Sequence, residues 1–147
     1  MVSFKSALKY ALKQEETARD NYLLWSTQTE DKNAKQLFKN LSNMEEKHVK
    51  AISNIITQGS TNLALKGFEL LDMSYGHQPH SKSNIEYLVR VIKYAISLEE
   101  YSMKNYIYIA SKVDETSVKK LFMTLAQEEK YHKTLLTQQY NRFLKAH

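Results

Sequence analysis

The sequence predicts an all-α fold, a four-helix bundle with a long crossover between its second and third helices. Four stretches carry apolar residues at intervals of three and four, the spacing of a helix with one buried face. An offset of 84 residues superimposes the first two stretches on the last two. Only three glycines and one proline occur in 147 residues, far below average usage. The chain is therefore expected to form a single domain over residues 1–147.

The first two helices are predicted to pair as hairpin 1, over about residues 3–57. The first is expected at about Ser3–Thr29 and the second at about Asp31–Thr57, with Asp31 as its N-terminal cap. Because the link between them is so short, the helices should lie antiparallel.

The crossover is predicted at residues 58–83, which hold all three glycines and the proline. A short helix is possible at Asn62–Met73. Helices of about 40 Å need a connection of this length if the second and third are to lie parallel. His77 and His80 fall in this segment and are interpreted as solvated loop residues rather than ligands of a surface metal.

The last two helices are predicted to pair as hairpin 2, over about residues 84–146. The motif Ser83-x-x-Glu86 has the pattern of a capping box and opens a third helix that runs to about Lys112. Asp114 is predicted to cap the fourth helix.

The 84-residue offset is a repeat of sequence, not only of helix pattern. It matches 13 identical residues in the 40 positions from 9 to 48. Each half carries a lone glutamate and, thirty residues later, the motif E-x-x-H. The six residues are Glu15, Glu45 and His48, and their equivalents Glu99, Glu129 and His132.

All six lie inside the apolar stripes of their helices. A buried carboxylate is costly unless a cation or a hydrogen-bond donor compensates it. The residues of E-x-x-H are one helical turn apart and project the same way, so both can reach one ion. A bundle core with one glutamate from each of two helices and one Glu-x-x-His from each of the others is a recognised di-iron or di-manganese arrangement. We expect Glu15 with His48 on one ion, Glu99 with His132 on the other, and Glu45 and Glu129 as bridges.

The ligand types favour two iron ions as the cofactor. Four carboxylates against two dipositive ions form a formally neutral cluster, and oxygen ligands with one imidazole per ion suit iron or manganese. Zinc is a possible substitute but is redox-silent.

Composition excludes several other functions. No cysteine is present, which removes disulfides and thiolate sites and fits a reducing cytoplasm. The net charge of +5 comes from lysines spread over all four helices, so no nucleic-acid partner is predicted. No stretch approaches a membrane span, and the N-terminus lacks the apolar run of a signal peptide.

The segments Ala11–Tyr22 and Leu37–His48 resemble the first-helix and second-helix motifs of the ferritin-like di-iron carboxylate family, and within it of rubrerythrin-like proteins. The resemblance covers both hairpins. It implies a ferritin-like bundle and a di-iron centre that meets hydrogen peroxide or dioxygen.

Two departures separate this chain from rubrerythrins with a rubredoxin module. It has no cysteine for such a module, and Ile96 stands where they carry an extra glutamate, one turn before the third-helix ligand. That extra ligand is tied to the peroxidase behaviour of the group. The site resembles more closely the six-ligand centre of bacterioferritins and related oxidases.

Four further residues invite interpretation. Tyr22 and Tyr106 lie two turns after a predicted ligand, and either hydrogen-bond the ligand carboxylates or serve as core aromatics. Trp25 is interpreted as packing. Arg19 is expected to be exposed rather than paired.

The leading hypothesis is a redox enzyme, similar to a peroxidase or ferroxidase, that reduces hydrogen peroxide or dioxygen at a diferrous centre in defence against oxidative stress. An external electron donor would re-reduce the iron. Alternatives are an iron-handling or storage protein and a hydroxylase of an organic substrate. We expect a homodimer, with exchange of hairpins between chains possible but not favoured.

Overall fold

The computed structural model describes residues 2–57, 64–65 and 85–146. In chain order these form β1 (Val2–Ser3), α1 (Phe4–Gln28), α2 (Lys32–Thr57), β2 (Ala64–Leu65), α3 (Ile85–Lys112) and α4 (Thr116–Ala146). The predicted four-helix bundle is confirmed, with helix ends within two residues of those expected. None of the described helices is long and apolar enough to cross a membrane.

The first hydrogen bonds of α2 and α4 show where these two helices begin. Asp31 caps α2, as predicted: its Oδ1 accepts a hydrogen bond from the Ala34 amide at 2.9 Å. The predicted N-terminal cap of α4, Asp114, is wrong by one residue. Glu115, not Asp114, provides the first helical carbonyl, which accepts from the Lys119 amide at 3.0 Å. Ser83, the predicted cap of α3, lies outside the described residues, as do His77 and His80.

A short strand pair joins the crossover to the N-terminus. β1 and β2 are antiparallel, with Val2 opposite Leu65 and Ser3 opposite Ala64. The possible helix at Asn62–Met73 is therefore wrong at Ala64 and Leu65, and the rest of it lies outside the described residues. Pairing across some 60 positions leaves no local sequence pattern, and two residues are too few to show an alternation.

The apolar core consists of two clusters at opposite ends of the bundle. The Phe122 cluster includes Leu8, Ala11, Ile52, Ile109, Phe122 and Leu125. The Trp25 cluster includes Trp25, Phe38, Leu41, Leu88, Ile92 and Leu136. On every helix the two groups lie on either side of the predicted ligands. The core is thus divided by a polar layer at the middle of the bundle.

Candidate metal centre

The polar layer contains all six residues of the repeated motifs. Each helix carries one of the glutamates near its middle, and α2 and α4 add one histidine each. None of the six is more than 3% exposed. The structure therefore brings the six side chains together in the core, and their role as metal ligands stays a prediction.

One half of the centre is the His48 quartet, formed by Glu15, Glu45, His48 and Glu129. One ligand atom from each lies within 4.8 Å of the others. His48 Nδ1 is 3.3 Å from Glu15 Oε2, 3.0 Å from Glu129 Oε1 and 3.8 Å from Glu45 Oε1.

The other half is the His132 quartet, formed by Glu45, Glu99, Glu129 and His132. One ligand atom from each of these residues also lies within 4.8 Å of the others. His132 Nδ1 is 2.9 Å from Glu45 Oε1 and 3.6 Å from both Glu99 Oε1 and Glu129 Oε2. The two imidazole rings stack at 5.6 Å between centroids, with 9° between their planes.

The two quartets share Glu45 and Glu129. Glu129 directs Oε1 towards His48 and Oε2 towards His132. Glu45 Oε1 lies within 4 Å of both Nδ1 atoms. Both carboxylates therefore lie between the two histidines, at the positions where bridging ligands were expected.

Two buried tyrosines hold the unshared carboxylates. The Tyr22 hydroxyl donates to Glu99 Oε1 at 2.5 Å, and the Tyr106 hydroxyl donates to Glu15 Oε1. Burial, and then the charges of Glu99 and Glu15, raise the pKa of Tyr22 and of Tyr106 well above the usual value of 10.0. Both phenols therefore stay protonated and act as donors. Of the two interpretations left open by the sequence, the structure shows the hydrogen-bonding one.

The carboxyl groups of the cluster differ in acidity. Burial and then the charge of Glu129 raise the pKa of Glu45 and of Glu99 well above 4.5. Burial also acts to raise the pKa of Glu129. Its contacts with Glu99, His132 and His48 outweigh burial and hold that pKa well below 4.5. Without metal, the cluster therefore keeps protons on some carboxyls and negative charge on Glu129.

Both imidazoles are strongly basic in this setting. Burial lowers the pKa of His48, but its contacts with Glu129 and Glu15 outweigh burial and raise the pKa to about 12. The same opposition raises the pKa of His132 to about 11, through Glu129 and Glu99. Protons on the two rings thus supply, in the metal-free protein, part of the positive charge that the carboxylates need.

Several atoms of the cluster lack hydrogen-bond partners. Among the described residues, the buried atoms without one include Glu45 Oε1, Glu99 Oε2, Glu129 Oε1 and His132 Nδ1. His132 Nδ1 is close to Glu45 Oε1, but the angles are not those of a hydrogen bond. Buried polar atoms are seldom left unpaired, and four in one cluster are what bound cations would satisfy.

Glu128 makes a contact with His48 that sequence reasoning missed. Its side chain is 51% exposed, yet Oε2 lies 2.6 Å from His48 Nε2, the ring nitrogen opposite the cluster. The only available signal was its place on α4, rotated by about 100° from Glu129 towards the seam with α2.

Two other glutamates that are next to the predicted ligands in sequence pair with cations at the surface. Arg19 Nη1 donates to Glu46 Oε2 at 2.7 Å, and Lys133 Nζ donates to Glu100 Oε2 at 2.6 Å. The expectation that Arg19 would be exposed rather than paired is wrong, because its ion pair with Glu46 keeps its side chain half-buried, at 28% exposure.

Trp25 and Ile96 lie in or against the apolar core. Trp25 is 6% exposed and belongs to the Trp25 cluster, which confirms its interpretation as packing. Ile96 is partly buried and packs against the same cluster. It contributes no oxygen to the centre.

A small cavity adjoins the centre between α1 and α3. It leaves about 10 Å³ for the centre of a water-sized molecule and is lined by Ala18, Asn21, Tyr22, Trp25, Leu98, Glu99 and Glu129. The Asn21 amide nitrogen is buried without a hydrogen-bond partner. Two larger grooves, of about 350 and 630 Å³, are lined by none of the six motif residues.

Comparison with known proteins agrees with this geometry. The family model Rubrerythrin matches residues 6–140. The fold is similar to that of a solved hypothetical protein from Pyrococcus furiosus, with a TM-score of 0.79 and 23% identity, over 97% of this chain and 91% of that one. No curated protein matches the chain. The buried glutamates and histidines fit the di-metal site of the matched family.

Proposed function

The chain belongs to the rubrerythrin family, and we propose that it is a di-iron redox enzyme that reduces hydrogen peroxide or dioxygen. One observation carries the proposal above all others. The six buried residues form two overlapping quartets that share Glu45 and Glu129. Two ions placed in these quartets would have one histidine each and two carboxylates in common.

The donor set supports iron as the resident metal. Glu15 and His48 would hold one ion, Glu99 and His132 the other, and Glu45 and Glu129 would bridge them. Oxygen ligands with a single imidazole suit Fe(II) or Mn(II). Two dipositive ions would also balance four carboxylates and satisfy the unpaired oxygen and nitrogen atoms of the cluster.

Iron held by these residues would supply one electron per ion, and the reduction of one hydrogen peroxide to two waters requires two electrons and two protons. The chain's own residues orient the ligands and limit the access of water. Tyr22 and Tyr106 fix the orientation of Glu99 and Glu15, and the two apolar clusters keep bulk water from both ends of the polar layer.

The small cavity favours a small oxidant over an organic substrate. About 10 Å³ is close to the least space that holds one water molecule. Tyr22, Glu99 and Glu129 line it, and the unpaired Asn21 amide supplies a hydrogen-bond donor. A hydroxylase would need a larger apolar chamber beside the ions, and neither larger groove contains a motif residue.

We propose that a separate protein or small molecule returns the electrons. The 147 residues contain no cysteine, so they offer no thiolate site for an electron-transfer iron.

The proposal is tested on protein loaded anaerobically with Fe(II). We expect about two iron ions per chain and, on adding hydrogen peroxide, loss of about two Fe(II) per peroxide consumed. A near-ultraviolet charge-transfer band should appear. Glu100→Ala is a matched control, because Glu100 is next to Glu99 but pairs with Lys133 and not with the centre.

Two results would contradict the proposal. One is a chain that binds no iron. The other is a chain that binds two Fe(II) and oxidises them no faster than free Fe(II) in the same buffer. Mass measurement in solution distinguishes the storage alternative, since storage needs a closed shell of many subunits.

A further inference from the structure

The two histidines of the centre are equivalent in the repeat but not in their surroundings. His48 Nε2 lies 2.6 Å from the carboxylate of Glu128, which is on α4 of the other hairpin. The position equivalent to Glu128, 84 residues earlier, is Met44. Met44 is partly buried against the Trp25 cluster and offers no carboxylate.

We propose that Glu128 is a positioning residue for the metal site of the His48 quartet, and that it makes this site bind its ion more tightly than the His132 quartet does. The inference rests on the proposed function, since it assumes that both quartets bind metal. The repeat alone would give the two sites equal affinity, and the inference concerns the difference in affinity between them.

The chemistry of the contact determines the tautomer of His48. An ionised carboxylate can only accept hydrogen bonds, so His48 Nε2 must carry the proton and donate it. The remaining nitrogen, Nδ1, then presents its lone pair to the cluster when the ring is neutral. A metal-bound histidine needs this state, and a carboxylate on its outer nitrogen also raises the basicity of the ligand.

The contact also restricts the ring itself. His48 is held on one side by Glu128 and stacks on His132. Rotation about χ2 would break the 2.6 Å hydrogen bond. Because Glu128 is half exposed, its carboxylate remains largely hydrated and the hydrogen bond forms at little desolvation cost. His48 therefore meets an incoming ion in the required orientation without an entropic cost at the moment of binding.

The test is titration of the metal-free protein with Co(II), followed by calorimetry and by visible absorption. Wild-type protein should bind two ions in two steps. In Glu128→Ala the tighter step should weaken by about 10- to 100-fold, the usual effect of losing an outer partner of a ligand histidine. The weaker step should change little. Glu128→Gln keeps an acceptor oxygen for Nε2–H and should recover most of the affinity.

Two further variants control the comparison. Glu100→Ala removes a flanking glutamate that touches no histidine and should leave both steps unchanged. Met44→Glu places a carboxylate at the position equivalent to Glu128 and should narrow the gap between the two steps. In zinc-loaded protein, the His48 Nε2–H proton should exchange with solvent faster in Glu128→Ala than in wild type.

Unchanged binding steps in a folded Glu128→Ala variant would overturn the inference and leave the proposed function intact. Equal loss of affinity in Glu128→Gln and Glu128→Ala would also overturn it, because charge alone would then explain the effect. A wild-type protein that binds no Co(II) and no Fe(II) would instead overturn the proposed function.

Discussion

The His48 quartet and the His132 quartet use the same residue types, yet they differ outside the ligand atoms. On the inner side each has one unshared glutamate, one histidine and a tyrosine from the other hairpin that donates to that glutamate. On the outer side Glu128 contacts His48, and the equivalent position is Met44. The repeat is therefore kept among the residues of the two quartets and their tyrosines, and it differs at this outer contact.

Two ions bound as proposed would make equal demands on the residues that face them, whereas the outer contacts of the two histidines need not match. A ligand oxygen or nitrogen must lie within coordination distance, so its side chain cannot change. An outer neighbour adjusts affinity by a smaller amount and can vary.

The largest effect is expected from removing a shared ligand. Glu45→Ala should reduce metal content from about two ions per chain to below one, because both quartets lose a carboxylate. Glu15→Ala should leave about one ion, held by the intact His132 quartet. The variants should remain helical, since the apolar clusters are untouched. Metal analysis and circular dichroism check this, and equal metal loss in both variants would remove the distinction between bridging and unshared glutamates.

Metal binding should depend steeply on pH. The imidazolium groups of His48 and His132, with pKa values of about 12 and 11, must each release a proton to solvent before they can bind an ion. The raised pKa values of Glu45 and Glu99 act in the same direction. Metal uptake should release at least the two imidazole protons, and apparent affinity should rise about tenfold per pH unit for each proton released. Calorimetry in buffers of different ionisation enthalpy counts them. Release of no protons would contradict the charge assignment.

The stability of the metal-free protein should fall as pH rises, whereas metal affinity should rise. A histidine whose pKa is higher in the folded state stabilises that state fully below the unfolded pKa of 6.5, and loses this contribution as pH rises towards 11 or 12. The free energy of unfolding of metal-free protein should therefore fall between pH 7 and 10. Metal-loaded protein should not follow this decline.

Smaller and equal effects are expected from the two tyrosines. Tyr22→Phe and Tyr106→Phe each remove one hydrogen bond to an unshared glutamate. Each should weaken one metal-binding step by about tenfold, and each leaves a buried oxygen unpaired at a cost of about 1–3 kcal/mol. Metal titration measures the change in affinity, and thermal denaturation measures the loss of stability. A large difference between them would show that the inner side is as asymmetric as the outer side.

The smallest effect is expected from mixing chains. We propose a homodimer in which each chain closes its own bundle, so co-refolding Glu15→Ala with Glu99→Ala should restore no peroxide-driven iron oxidation beyond that of the single variants. If hairpins were exchanged, one of the two bundles in a mixed dimer would contain all six ligands and activity would partly return. Mass spectrometry must show that mixed dimers formed.

Sequence reasoning found the six central residues because they occur twice at one spacing inside apolar stripes. It placed the helices because their periodicity is long and uninterrupted. It missed what occurs once or depends on distant pairing. Glu128 gives no repeated signal, and Arg19 pairs with Glu46, a partner 27 residues away. β1 pairs with β2 through backbone atoms that no side-chain pattern reports. Asp114 and Glu115 are both acidic, so composition could not decide which one begins α4.

The crossed tyrosine bonds have one more consequence. Tyr22 of the first hairpin binds the glutamate of the second, and Tyr106 of the second binds the glutamate of the first. Contacts in which i meets j and j meets i are those of an isologous interface, with an approximate two-fold axis between the stacked imidazoles. Such an axis generates the second half of a site from the first. A single hairpin with one Tyr, one Glu and one Glu-x-x-His would therefore, on pairing with its own copy, present the complete ligand set.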